Sequence, residues 1–179
     1  MIDPAIELSL RLALALLFAE AAWHKVSDRI RFGATMRSYH VLPSWWVAPL
    51  TWLLPSAEAS IAFGLLLPPT RQLAAVGAAM LLLIYTGAIG VNLMRGRREI
   101  DCGCFASSAR VPLSSWLVAR NVILILATFI VVMPVRPRTL IWIDVLTITT
   151  AVSTLSLLWS AGQRLAGTGP ALRRAGGTV

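Results

Sequence analysis

Apolar residues in this chain come in long uninterrupted runs rather than at alternate or every-third positions. Gln72 to Met94 carries no charged residue at all. Ser38 to Thr70 carries only Glu58, Pro112 to Val135 only Arg120, and Thr139 to Gln163 only Asp144. A hydrocarbon core of about 30 Å needs about 20 apolar residues per helical span, and each run is long enough. A fifth run, Ala5 to Trp23, is interrupted by Glu7, Arg11 and Glu20 and is also read as a span. The pattern therefore predicts helices over residues 5–23, 45–67, 72–94, 113–134 and 139–161. Short alternating segments of the kind that build a membrane barrel are missing from the pattern. In lipid every backbone amide must be satisfied internally, which leaves helices. The predicted fold is all-α: a polytopic membrane helical bundle of four core transmembrane helices plus a fifth.

The breaks carry turn chemistry. Pro68-Pro69-Thr70 leaves a very short link, so the second and third helices pack antiparallel, and Pro134 ends the fourth. Pro55 is expected to kink the second. Residues 162–179, rich in Gly, Ala and Arg, are expected to form a disordered tail. Met1-Ile2-Asp3-Pro4 lacks the basic n-region of a signal peptide. Two long connections, His24 to Ser44 and Arg95 to Val111, share one side of the membrane. The first sets Ile30, Phe32, Met36, Tyr39 and Leu42 among Arg29, Arg31, Arg37 and His40, a pattern that predicts an amphipathic helix in the interface. Trp45, Trp46 and Trp116 fall where an aromatic belt is expected.

Composition agrees with this picture. The 179 residues are 57% hydrophobic and 13% charged, with a mean hydropathy of +0.74. The net charge of +8 is juxtamembrane arginine, and no segment is long enough to fold as a soluble basic face for nucleic acid. On the side of the long connections lie Lys25, Arg29, Arg31, Arg37, Arg95, Arg97, Arg98, Arg110, Arg164, Arg173 and Arg174; on the other lie Arg71, Arg136 and Arg138. Eleven cations against three place the long connections in the cytoplasm by the positive-inside rule.

Residues 99–106, E-I-D-C-G-C-F-A, hold both cysteines of the chain, Cys102 and Cys104. A disulfide between them would close almost no loop, which makes the pair unusual as a structural staple. Its small ring would be strained and easily reduced, which is the character of labile and catalytic disulfides. Arg95, Arg97, Arg98 and Arg110 favour the thiolate, the reactive form. Redox exchange is the leading reading. Thiolates also suit Cu(I), with His24 and His40 on the same face, although two cysteines are half a typical site. A third reading takes them as small residues without redox function.

Ionisable groups inside the bilayer are expensive, and each is a candidate for function with a partner. Arg120 is placed by helix rise at a depth from which it can reach Glu20 or Glu58. Glu20 and His24 are i, i+4 neighbours able to form a proton path toward the thiols. Asn92 and Asn121 are polar lining or interhelical hydrogen bonds. Asp144 is expected to snorkel to the face opposite the cysteines.

These residues also resemble a known family, the MauE methylamine-utilisation membrane proteins within the DoxX-like group. The resemblance covers roughly residues 8 to 135. It is carried by Phe18-Ala19 with His24-Lys25, Phe32-Gly33-Ala34-Thr35, Tyr39-His40-Val41-Leu42-Pro43, Pro55 and Glu58, Asn92-Leu93-Met94-Arg95-Gly96, Cys102-Gly103-Cys104-Phe105 and Arg120-Asn121. Ala106 departs from the glycine usual after the phenylalanine. The resemblance implies a helical bundle in the bacterial cytoplasmic (inner) membrane. It further implies thiol–disulfide exchange in maturation of an exported enzyme resembling methylamine dehydrogenase, with a thioredoxin-like (MauD-type) partner. That role faces the periplasm, against the arginine count. By analogy with quinone-linked disulfide-forming bundles, a quinone is a further possible cofactor. With one cysteine pair only, electrons must pass to a partner or a bound cofactor. The rival readings are a Cu(I)-handling membrane protein and a non-catalytic assembly factor.

Overall fold

The computed structural model describes residues 1–41, 43–97 and 113–175, with side chains described as far as residue 162. Its elements are α1 (Pro4–Ser27), α2 (Arg29–Ser38), α3 (Ser44–Leu66), α4 (Arg71–Met94), α5 (Ser115–Val132) and α6 (Trp142–Ala175). Cys102 and Cys104 lie outside the described residues.

Four long helices close a ring. α1 packs on α3, α3 on α4, α4 on α5, and α5 returns to α1, while α6 lies outside against α1. This is the expected bundle of four with a fifth appended, and the chain is a polytopic helical membrane protein. The interior is built from Leu14 and Phe18 of α1, Leu65 of α3, Ala75, Ala78 and Leu82 of α4, and Ile125 and Val131 of α5. Small buried residues let the helices approach closely, which is how packing substitutes for hydrophobic force inside a membrane. At the α3–α4 turn a Cβ on Gly64 would stand 3.0 Å from that of Ala74, so glycine sets the closeness of that crossing. The outside is apolar: Leu73, Met80, Ile123, Leu126, Phe129 and Leu157 are all exposed, a surface suited to lipid. α4, α5 and residues Trp142–Gly162 of α6 are long and apolar enough to cross a membrane by length and composition. α1 carries the buried Glu7 and Lys25, and α3 the buried Glu58.

Start signals act locally. The Asp3 carboxylate accepts from the Ala5 amide at 2.9 Å, Pro4 stands in the first turn, and Glu7 complements the positive helix end. Asp28 closes α1 through its amide to the His24 carbonyl and opens α2 by accepting from the Arg31 amide at 3.1 Å. The helix expected in the first long connection is thus α2. It buries Phe32, Gly33 and Thr35 and packs on α3. Trp45, Trp46 and Trp116 are exposed at the same end of the bundle, where an aromatic belt belongs. α3 continues as one helix through both Pro49 and Pro55.

Three expectations change. The backbone over residues 162–175 is helical where composition predicts disorder. Extending a helix already formed costs far less than starting one, so α6 propagates through Gln163-Arg164-Leu165-Ala166. Glu7, which interrupts the apolar run of the first span, is not at its surface but buried, and faces Arg71 of α4 at 3.0 Å and Arg11 at 3.5 Å. Asp144 does not simply snorkel: both its oxygens are taken by Arg138, at 2.7 and 2.8 Å.

Arg138 also holds both oxygens of Asp3, at 2.9 and 3.0 Å. Beside it the Ile2 amide donates to the Pro134 carbonyl and the Arg136 amide to the Ile2 carbonyl. The start of the chain is thereby fastened to the α5–α6 link. The Arg138 guanidinium, and next the Ala5 amide, hold the Asp3 carboxyl below its ordinary value of 3.8. A depressed carboxylate contributes stability above its unfolded pKa and loses it as pH falls through the folded one. We therefore expect hydrogen exchange at the Ile2 and Arg136 amides to be steady from neutral pH to about 4, once corrected for intrinsic rates. It should accelerate below that. In Arg138→Gln the same amides should exchange fast already at neutral pH.

Candidate functional site

Helix geometry decides which side chains meet inside the bundle. In α1, Leu14, Phe18, Ala22 and Lys25 fall on one buried stripe, spaced by four, four and three residues. The lysine therefore points inward although it stands in the last turn. A helical side chain leans toward the N-terminus of its helix, and the four-carbon stem carries the ammonium down into the core. Lys25 is 4% exposed and Glu58 of α3 is 1% exposed. Lys25 Nζ donates to Glu58 Oε1, and the Tyr85 hydroxyl of α4 donates to the same oxygen at 2.8 Å. Lys25 Nζ also lies 3.4 Å from the Tyr85 oxygen and 5.5 Å from the centre of the Phe32 ring. Three helices of the ring thus meet at one ion pair. Glu58 Oε2 is buried and has no hydrogen-bond partner among the described residues.

This corrects two readings. Lys25, counted above among the cations of the loop face, is a core residue. The partner of Glu58 is Lys25, not Arg120. On α5, the Arg120 guanidinium reaches the Asn121 carbonyl oxygen at 3.1 Å and lies 4.8 Å from the centre of the Trp159 ring of α6. An arginine is thereby kept in the bundle by a neighbouring amide and an aromatic face.

Between these groups lies a cavity of about 30 Å³, room for a water molecule or two. Glu20, His24, Lys25, Glu58, Tyr85, Arg120, Asn121 and Trp159 line it. Five residues singled out in the sequence, Glu20, His24, Glu58, Arg120 and Asn121, therefore share one cavity. Glu20 and His24 stand 3.6 Å apart at its more exposed edge. Asn92 does not line it. It is fully buried on α4, donates to the Ala88 carbonyl at 3.0 Å and accepts from the Arg97 amide through its own carbonyl. It closes the end of α4, from which the cysteine segment departs. Lys25, Tyr85 and Trp159 are the site residues that sequence reasoning missed. For the first two a signal existed: Lys25 follows Phe18 by seven residues, and Tyr85 lies seven after Ala78 and seven before Asn92, two helical turns each.

The arrangement can hold and pass protons. It joins a carboxylate with one free oxygen, an ammonium, a phenol, an imidazole beside a second carboxylate, and space for water. Among the described residues, no group of three His, Cys, Asp or Glu could hold a metal ion.

The family model described as methylamine utilisation protein MauE matches residues 3–134. Over 124 residues the chain is 41% identical to the methylamine utilization protein MauE of Paracoccus denitrificans, covering 69% of this chain and 67% of that one. The protein of the same description from Methylorubrum extorquens is 37% identical over 127 residues, covering 71% and 68%. That from Methylophilus methylotrophus is 42% identical over 102 residues, covering 57% and 54%. No solved structure matches. The matched stretch takes in α1 to α5; α6 and its Trp159 lie beyond it.

Proposed function

The chain belongs to the family of methylamine utilisation protein MauE, and from that premise we propose that it is a membrane accessory protein for methylamine utilisation whose Cys102 and Cys104 exchange disulfides. The observation that carries this reading is a juxtaposition. The segment holding both cysteines joins α4 to α5 at the end of the bundle where α1 brings in His24 and Lys25 and α5 brings in Arg120. A reactive dithiol and a proton-holding cavity belong to the same chemistry.

Exchange runs through a mixed disulfide. One thiolate of the pair attacks a partner disulfide, and the second resolves the mixed bond. The pair closes to a disulfide as the partner gains two electrons and two protons as its dithiol. In the reverse sequence a partner dithiol gives two electrons and two protons to the Cys102–Cys104 disulfide and itself closes to a disulfide. Glu20, His24 and the Lys25–Glu58–Tyr85 cluster take up and return the protons. The partners in this reading are a thioredoxin-like protein and an exported client enzyme, which places the protein in the inner membrane with its cysteines on the outer face. Among the described residues, cations that argue for the opposite side are engaged in the fold. Lys25 is buried, Arg29 lies 3.2 Å from the centre of the Trp52 ring, and Arg95 reaches the His40 carbonyl at 3.4 Å.

Labelling of intact cells with a membrane-impermeant maleimide tests the side and the redox state together. We expect Cys102 and Cys104 to react from outside only after reduction. Labelling confined to opened cells would defeat direct exchange with exported clients. Stoichiometric Cu(I) binding with loss of free thiols would favour the metal-handling alternative.

A further inference from the structure

A second space touches the same ion pair from its other side. It is a cleft of about 300 Å³ beneath α2, between the first half of α3 and the second half of α4. Its walls are apolar and partly aromatic, with Phe32 and Tyr39 from α2, Leu50 and Leu54 from α3, and Ile84 and Ile89 from α4. Lys25 and Tyr85 line it as well. Ile84 is 63% exposed, so the cleft opens sideways toward lipid. Gly87 lines it, and a Cβ at Gly87 would meet nothing within 4 Å: the open volume reaches the helix backbone.

We propose that this cleft binds a membrane-soluble quinone, its ring between Phe32, Leu54 and Gly87 and one carbonyl oxygen on the Lys25 ammonium. An ammonium has three N–H donors. One goes to Glu58 and one is directed at the Tyr85 oxygen; beyond these the described residues offer the ammonium only the Phe32 and Tyr85 ring faces, 5.5 and 5.0 Å away. A ring face is a weaker acceptor than an oxygen, and a carbonyl oxygen answers the third donor. An acyl chain would fill the same volume without supplying an acceptor. The size suits a substituted ring with the start of its tail, and the lateral opening admits a ligand that partitions into lipid. Lys25 and Tyr85 line both this cleft and the water-sized cavity bounded by Glu20, His24, Glu58 and Arg120, and form the partition between them. Protons crossing the partition reach the ligand without crossing lipid. The redox consequence rests on the thiol reading above. Closing the Cys102–Cys104 dithiol releases two electrons and two protons, which convert one quinone to one quinol.

Binding itself needs no thiol, so it is tested separately from exchange. The full chain carrying Cys102→Ser and Cys104→Ser is placed in phospholipid nanodiscs and titrated with tritium-labelled decylubiquinone against empty discs. One saturable site is expected. Gly87→Leu puts a side chain into the open volume, with its Cβ meeting nothing within 4 Å, and should weaken binding at least tenfold while the unfolding temperature is maintained. Lys25→Met with Glu58→Met, which removes the ion pair while keeping apolar bulk, should weaken it to a similar degree. No saturation above empty discs would overturn the proposal and leave the cleft to lipid chains already present in excess. Undiminished affinity in a folded Gly87→Leu protein would overturn the location. If binding holds while the cysteines prove dispensable for client maturation, the thiol reading fails alone.

Discussion

Lys25→Met is expected to destabilise the bundle by about 3–5 kcal/mol, the cost of breaking a buried pair by removing one partner. The size follows from what remains. Glu58 is 1% exposed, and one of its two oxygens already lacks a hydrogen-bond partner among the described residues. Without the ammonium, the carboxylate keeps only the Tyr85 hydroxyl, at 2.8 Å. The charge must then be neutralised by protonation or take water into the core. Removing both partners has a different consequence. In Lys25→Met with Glu58→Met no charge is stranded, and two flexible apolar side chains fill the space. Exchanging a buried pair for apolar residues of similar volume is often neutral or stabilising. The double variant should therefore recover most of the loss. Unfolding in detergent, followed by circular dichroism, reads all three proteins. An unchanged unfolding midpoint for Lys25→Met would show that the pair is not buried in the membrane-embedded protein.

The same residue marks the boundary of what the sequence made legible. Long apolar runs announce helices in lipid because a span has to be long and the bilayer leaves the backbone no other arrangement. The five long helices and the external position of the last follow from that constraint. Charged residues inside the runs stood out by their cost, and five of the polar residues so identified line one cavity. Pairings were harder. They depend on helix rotation and side-chain reach, and depth along the sequence carries neither. Depth alone puts Arg120 within reach of Glu20 or Glu58, whereas Glu58 is met by a lysine reaching down from the end of α1. A lysine next to a histidine at a helix end reads as juxtamembrane charge, and only its seven-residue spacing from Phe18 gives it away. Trp159 could not be found at all, because its role arises from where α6 docks. The extension of α6 was concealed for a different reason: composition reports the propensity of a segment taken alone, and a helix that enters it already formed changes the balance.

Cys102→Ser together with Cys104→Ser is expected to abolish maturation of the client enzyme, lowering its disulfide content and activity to the level of cells lacking this protein, with the bundle intact. An intact bundle is expected because residues of α1, α3, α4 and α5, from Leu14 to Val131, close the interior among themselves. Loss of function is expected because thiol–disulfide exchange has no substitute donor here. The chain has two cysteines, and serine cannot form the mixed disulfide through which exchange proceeds. Single variants separate the two thiols. The one that attacks first should leave no mixed disulfide when replaced. Replacement of the resolving one should trap the mixed disulfide with the thioredoxin-like partner, visible as a higher-mass band on a non-reducing gel. Glu58→Gln joins the series as the link to the cavity. If the polar cluster serves the thiols, it should slow exchange and alter its pH profile while both cysteines still titrate with maleimide. Full client activity with both cysteines replaced would falsify the thiol chemistry. The protein would then be an assembly factor held together by the Lys25–Glu58 pair, and its polar core would be architecture.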